Sequence, residues 1–574
     1  MSDPVSPSEG EVELDVDAEV DDNKAVMKSS AIMAGGTIIS RITGVVRDIV
    51  VAAAIGSAIV ADAYYLGNSL PNIIYILVIG GALNAIFVPQ LIRHMKHDKD
   101  GGDGYAHRLI TLVGIILLLL AVVTIIFAPQ IVDLYATSEF DAQEREVAIA
   151  FTRFCLPQIM FYGLYTMFSQ VLNSRMHFAA PMFAPIINNL IVIGTAIAFI
   201  VMMVGTVTVA NITPGQITLL GLGTTIGVVA QALVLVPFMI KMGYRYRPKF
   251  DFRGYGLRKS GTLAGWTIGL VLVNQIGFLV ITRLATHANV IAQSMGDFSQ
   301  GLATYQRAFL VFMLPHSVIT ISLVTALLPR MSQSAADGKL GEVADKVSGG
   351  MRVIASLLAP CAAVIGFFGP ALGTIFFGFG ANAGEPAAYT GIVVSMFAIG
   401  LIPFSLFYTL LRGWYAVEDT RTPFLVTVGY NIVAIPLTIY LADIAPDNYK
   451  VAALALAYAL AYWVALAFTW VWLRVRLGSL DSLRTISTLV RAMVAACAAA
   501  AIGAAVAIWI VGTSQGDSFS VDVLSHSWWN AFATLVIGGI VTLVLYLLFA
   551  KILRINEVQE GLNAVTGRLK RARS

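Results

Sequence analysis

Apolar runs of 18 residues or more, separated by short polar stretches, recur along the whole chain. Each run is long enough to cross a bilayer as a helix. Lipid offers no partner to an open backbone group, so the spanning elements are read as helices. Hydropathy and helix breakers together predict about fourteen spans. They cover residues 28–55, 62–92, 108–132, 147–174, 180–205, 215–241, 260–286, 299–330, 345–376, 387–414, 422–443, 450–475, 485–512 and 528–551. The predicted fold class is therefore an all-α polytopic membrane protein.

The polar stretches alternate in charge. RHMKHDKD, KMGYRYRPKFDFRGYGLRK, RVRLGSLDSLR and the terminal GRLKRARS are basic. TSEFDAQEREV, THANVIAQSMGDFSQ, GANAGEPAA, ADIAPDN and TSQGDSFSVD are poor in Lys and Arg and often acidic. The positive-inside rule then predicts that both termini are cytoplasmic, in agreement with an even number of spans.

Composition narrows this picture. Of 574 residues, 57% are apolar and 12% charged, more apolar surface than a soluble fold can hide. The net charge of +3 adds little. Cys155, Cys361 and Cys497 lie far apart in apolar segments and suggest neither a disulfide framework nor a metal site. The start of the chain is acidic (Glu9, Glu11, Glu13, Asp15, Asp17), unlike the basic front of a signal peptide, and residues 1–25 read as a disordered tail. No loop is long enough for a soluble catalytic domain, and phosphate-loop and HExxH patterns are absent. An enzyme is not expected, nor a metal, a cofactor or a nucleic-acid partner.

Two stretches echo one another. Pro157, Tyr165-Thr166, Pro181 and Asn188 or Asn189 match Pro403, Tyr408-Thr409, Pro423 and Asn431. A weaker echo links residues 71–89 with 315–329, and both pairs are offset by six spans. Parallel repeats of this kind are a transporter plan. They predict an N-lobe over 26–242, a C-lobe over 258–476, an appended helix pair over 484–552 and a basic tail over 553–574.

The charges inside the spans carry the chemistry. Arg41, Arg47 and Asp48 interrupt the first apolar run, AIMAGGTIISRITGVVRDIVVAAAIG. A charge at the bilayer centre costs at least about 2.5–3.5 kcal/mol on insertion scales. Arg41 lies roughly 20 Å along its helix by the 1.5 Å rise, too deep to snorkel easily. Arg41 and Asp48 share a face about 10 Å apart, so a direct pair needs a bend, which Gly44 would permit. Without that bend Arg47 points elsewhere, by about 120°, and its neighbour Asp48 is expected to orient or partly neutralise it. Either the triad ties the helix to a neighbour, or it lines an anion-binding cavity; guanidinium forks suit phosphate. Asp62 reads equally as a helix cap or a functional group. Arg307 reads as a cavity residue or a snorkelling one, while Arg153 and Arg283 read as snorkelling. Asn72, Asn84, Asn188, Asn189, Asn274 and Gln275 read as interhelical glue.

SRITGVVRD, followed by ADAYY, LPN and a glycine-containing run to FVP, resembles the N-terminal region of the MurJ/MviN lipid II flippases. NSRMHFAAPMFAPIINN and LPHSVITISLVTALLPRMSQ extend the resemblance over roughly residues 28–550. The family belongs to the multidrug/oligosaccharidyl-lipid/polysaccharide flippase superfamily. The resemblance implies two six-helix lobes plus a C-terminal helix pair that forms a groove for a lipid tail. It implies a flippase that moves the undecaprenyl-pyrophosphate-linked muropeptide to the outer leaflet by alternating access, for peptidoglycan synthesis. Substrate contacts then fall to Arg41, Arg47 and Arg307, and cavity or gating roles to Asp48, Asp62, Asn72 and Gly44. A monomer in the bacterial plasma membrane is expected, in contact with membrane lipids and wall-synthesis proteins. The chain departs from the family pattern at Tyr75 or Ile76, Gly80, Leu310 and, in span seven, at Asn274 and Gln275, which leaves the coupling ion open. The alternatives are another polysaccharide-lipid flippase, a multidrug antiporter, or a scaffold for wall-synthesis enzymes.

Overall fold

Prolines, glycines and paired caps punctuate the apolar runs, and in the computed structural model the helices start and stop at them. The structure describes residues 35–77, 100–203, 207–251, 261–515 and 527–560. The expected acidic tail, the second half of span two with Gly80 and Asn84, most of the loop TSQGDSFSVD and the tail GRLKRARS lie outside those residues.

The first half holds α1 (35–55), α2 (Ile59–Tyr75), α3 (Asp103–Ile126), α4 (Ala142–Ser174), α5 (Ala179–Met202) and α6 (Pro214–Lys241). The second holds α7 (Gly261–Ser294), α8 (Leu302–Ala336), α9 (Leu340–Phe367), α10 (Glu385–Ala398 and Leu401–Ala416), α11 (Arg421–Ile444) and α12 (Lys450–Leu477). α13 (Ser482–Gln515) and α14 (Trp528–Ile552) follow. No strand occurs among the described residues. The chain is thus an all-helical, multi-pass membrane protein.

Local chemistry explains several boundaries. Asp141 and Glu144 form a reciprocal capping box at the start of α4, with bonds of 2.8 and 2.9 Å. Thr213 and Gln216 do the same for α6, where Pro214 fills the first turn. Ser527 caps α14 through the Asn530 amide. Span nine, expected to run to 376, breaks at Phe368, and Pro370 opens a new short helix, Gly369–Phe377. Span seven runs on to Ser294, eight residues past its expected end at 286.

The repeat has structural counterparts. α4 breaks at Leu156-Pro157, and α10 breaks before Leu401, two residues ahead of Pro403, with a bend of 48°. Pro315 in α8 leads into a π-helical turn, His316–Thr320, and π-type geometry also follows Pro71 at residues 76–77. A proline lacks the N–H that would close its turn, which loosens the ladder at matched places.

α2 packs on α4, α4 on α3 and α6, and α5 on α6. α1 lies along α5 through Thr37–Met182 and Asn189. In the second half, α7 packs on α11, α11 on α12, α10 on α12 and α9, and α8 on α9 and α10. α13 and α14 pair with each other and lean on α9. Contacts between the halves are sparser and concentrate where α2 meets α7 and α8.

Candidate functional site

The two halves enclose a cavity of about 580 Å³. α1 and α2 contribute Arg47, Asp48, Tyr65 and Asn68; α7 contributes Asn274; α8 contributes Gln306 and Arg307. Tyr430 and Asn431 of α11 and Tyr458 and Tyr462 of α12 close the far side. The wall therefore carries two guanidiniums against one carboxylate, among aromatic and amide side chains.

Arg47 does not stand free. Its Nε and Nη2 both donate to Asp48 Oδ1, at 3.1 and 2.9 Å, and Nη1 donates to Asn189 Oδ1 at 3.2 Å. Asn189 in turn donates to the Ser40 carbonyl and to Thr43, so one amide both aims Arg47 and clamps α1 to α5. Arg41 and Asp48 form no pair; as their adjacency suggests, Asp48 holds its neighbour Arg47. No bend brings Arg41 to Asp48, because α1 runs unbroken through Gly44. A Cβ on Gly44 would meet Asn189 Nδ2 at an ordinary 3.7 Å, so close packing does not demand the glycine.

Arg41 is exposed, outside the enclosed volume, beside exposed Ile38, Ile39 and Ile42. It makes no ion pair among the described residues. Asn72, expected at the cavity, is exposed on α2 and does not line it; Tyr65 and Asn68, earlier on the same helical stripe, do.

Arg307 and Asp62 instead build a buried polar latch between the halves, at the end of the molecule that carries the acidic loops. Arg307 is 1% exposed. It donates to the Gly56 carbonyl (2.5 Å), Ser57 Oγ (2.9 Å), Asn382 Oδ1 (3.0 Å) and Tyr65 Oη (3.2 Å), and its guanidinium lies over the Tyr65 ring. The Ser57 hydroxyl donates to Asn382 Oδ1 at 2.6 Å. In this conformation the guanidinium expected to contact substrate is engaged with protein acceptors, although its residue borders the cavity.

Asp62 is fully buried and does cap a helix, but not its own. Its Oδ1 accepts the Ala303 N–H at 2.8 Å, in the first turn of α8, and its Oδ2 accepts Asn289 Nδ2 at 2.9 Å. Asn289 also donates to the Ser57 carbonyl (3.2 Å) and is steadied by Gln293 (3.0 Å). A carboxylate at a helix N-terminus meets orphan N–H groups and the positive end of the dipole. Gly301, with φ +126°, leaves the room: a Cβ there would sit 2.5–2.6 Å from the Asp62 oxygens. Ser57, Asn289 and Asn382 escape a reading of sequence alone, since each is an ordinary polar residue at a span end. Among the described residues no group of three or more His, Cys, Asp or Glu side chains is placed to hold a metal.

Two helical groups that meet at a latched end, around a largely apolar cavity that bears arginine inside the membrane, define a membrane transporter. A sequence model of the family described as lipid II flippase MurJ matches residues 51–526, and the chain belongs to that family. The lipid II flippase MurJ of Burkholderia cenocepacia is 27% identical over 407 residues, 70% of this chain and 75% of that one. A probable lipid II flippase MurJ of Vibrio cholerae is 26% identical over 463 residues, 78% and 83% of the two chains. In fold, the chain is similar to a lipid II flippase MurJ solved in an inward closed conformation, with TM-score 0.68, 19% identity and coverage of 91% and 99%. A multidrug resistance MATE family transporter of the MOP superfamily, inward-facing, follows at TM-score 0.61, 14% identity and coverage of 79% and 99%.

Proposed function

We propose that this chain moves a lipid-linked peptidoglycan precursor, lipid II, from the inner to the outer leaflet of a bacterial plasma membrane, by alternating access and without catalysing a bond change. The observation that carries the reading is the Arg47 guanidinium in the wall of a membrane-embedded cavity, in a chain of this family. The basic loops put both termini in the cytoplasm, and the latch then closes the outer end. Arg41, without an ion pair among the described residues, is the first cation that an entering pyrophosphate meets. Arg47 is the second: the substrate's phosphate takes the fork that Asp48 holds in its absence. Arg307 and Asp62 hold the outer gate in this state, and the two halves rock about it. α13 and α14 offer their apolar faces to the polyprenyl tail.

A multidrug antiporter shares the fold, but a cation substrate calls for an acidic cavity, and this wall has more guanidinium than carboxylate. The test is complementation in a bacterium depleted of its own flippase. The parent chain restores growth; Arg41→Ala and Arg47→Ala, expressed at equal level, do not. Growth on Arg41→Ala would remove the pyrophosphate role given to Arg41.

A further inference from the structure

A second cavity of about 250 Å³ lies beside the first, and Asn274, Tyr430 and Tyr462 belong to the walls of both. It is contained within the second half, between α7, α10, α11 and α12, and Arg412 is the one charged residue in its wall. Arg412 stands one turn before the end of α10. Tyr408 and Tyr415, four residues before and three after, share its helix face. Their ring centroids lie 4.4 and 5.3 Å from the guanidinium carbon, and Nη2 donates to Tyr408 Oη at 2.5 Å. No carboxylate pairs with Arg412 among the described residues. A guanidinium has five N–H donors, and the Tyr408 bond uses one of them. Held by aromatic neighbours, with most of its donors unpaired among the described residues, such a fork is preorganised for a planar carboxylate. Thr427, Tyr430, Tyr462 and Asn274 line the same cavity and bring hydroxyl and amide groups of the kind that hydrogen-bond peptide.

We propose that this side cavity is a second anion subsite, which takes a carboxylate-bearing end of the substrate's peptide while the pyrophosphate occupies the α1 arginines. The proposal rests on the flippase reading above and names the part of the substrate that this half of the molecule reads. The volume favours the end of a peptide over a whole headgroup, being below the roughly 300–1,000 Å³ of sites for drug-sized ligands. A shared wall lets one molecule reach both cavities.

The test uses two synthetic lipid-pyrophosphate-linked muropeptides, one with free peptide carboxylates and one with all of them amidated. Binding to the detergent-solubilised full chain and transport in proteoliposomes are measured for each. The parent chain favours the free-carboxylate form by about tenfold or more, the scale of one charged hydrogen bond. Arg412→Gln loses that preference, and Arg412→Lys, which keeps charge but not the fork, retains part of it. Arg47→Gln weakens both substrates by a common factor, so the ratio stays. A parent chain with no preference overturns the proposal. So does an Arg412→Gln variant that weakens both substrates alike with a lower melting temperature, since that marks a cation serving only the end of α10. Preference in binding without transport of either substrate would sink the flippase reading and leave the subsite standing. Equal transport and equal binding of both would do the reverse.

Discussion

At the residue scale, the Arg47–Asp48 pair decides how the cavity rests. Neighbours one apart on a helix do not ordinarily face each other, yet here the guanidinium folds onto the next residue's carboxylate while Asn189 holds its other edge. Their side chains are 31% and 18% exposed, so the pair is partly screened and open to exchange. In the proposed binding mode a phosphate oxygen takes the place of Asp48 on the Arg47 fork. Asp48→Asn removes the competitor and leaves the shape, so substrate affinity of the solubilised chain should rise about 3- to 10-fold, the worth of roughly one hydrogen bond. Transport should slow, because release becomes harder. Equal affinity in parent and variant would show that Asp48 does not compete. The pair was legible in the sequence because charge inside an apolar run has a cost that demands a partner. The partners of Arg307 were not: Ser57, Gly56 and Tyr65 lie 242 to 251 residues away along the chain, and only the fold brings them together.

At the element scale, the hydrophobic runs foretold the helices closely, since a helix that must cross lipid is fixed by length and apolarity. What the runs do not encode is how helices cap one another. The N-terminus of α8 has no side-chain cap of its own, and Gly301 precedes it. Its cap is Asp62 of α2, so the start of one half's helix is completed by the other half. Gly301→Ala tests this without replacing either buried charge. The added Cβ would meet the Asp62 carboxylate at 2.5–2.6 Å, at a backbone angle that L side chains rarely adopt. The closed end should lose about 1–3 kcal/mol, a factor of roughly 5–150 in the closed-to-open ratio. Hydrogen exchange at the amides of Leu302 to Tyr305 would speed up by that factor, with the helices far from the latch unaffected. Unaltered exchange there would mean that the cap does not hold the end shut.

At the scale of the whole molecule, the latch and the cavity are coupled through two residues. Tyr65 lines the cavity and accepts from Arg307; Arg307 borders the cavity and holds the Gly56–Ser57 turn. A substrate that draws Arg307 or Tyr65 toward itself therefore loosens the contact that keeps the latched end closed. Each loosened group is buried, and a buried charge deprived of its partners costs several kcal/mol unless the substrate's anion replaces them. This links opening to occupancy, as alternating access requires, since a ligand shifts a two-state equilibrium only by its differential affinity. A crosslink across the latch tests whether the end must part. Ser57 Oγ and Asn382 Oδ1 are 2.6 Å apart and belong to different halves. In a chain carrying Ser57→Cys and Asn382→Cys, with Cys155, Cys361 and Cys497 replaced, mild oxidation should fix the end shut. Transport in proteoliposomes should then fall by at least tenfold and return on reduction. Substrate binding from the inner side should persist in the crosslinked state, because the disulfide fixes only the latched end. Transport that continues at the parent rate with the disulfide formed would mean that the halves do not separate at this end, and the rocking motion assigned to them would have to be abandoned.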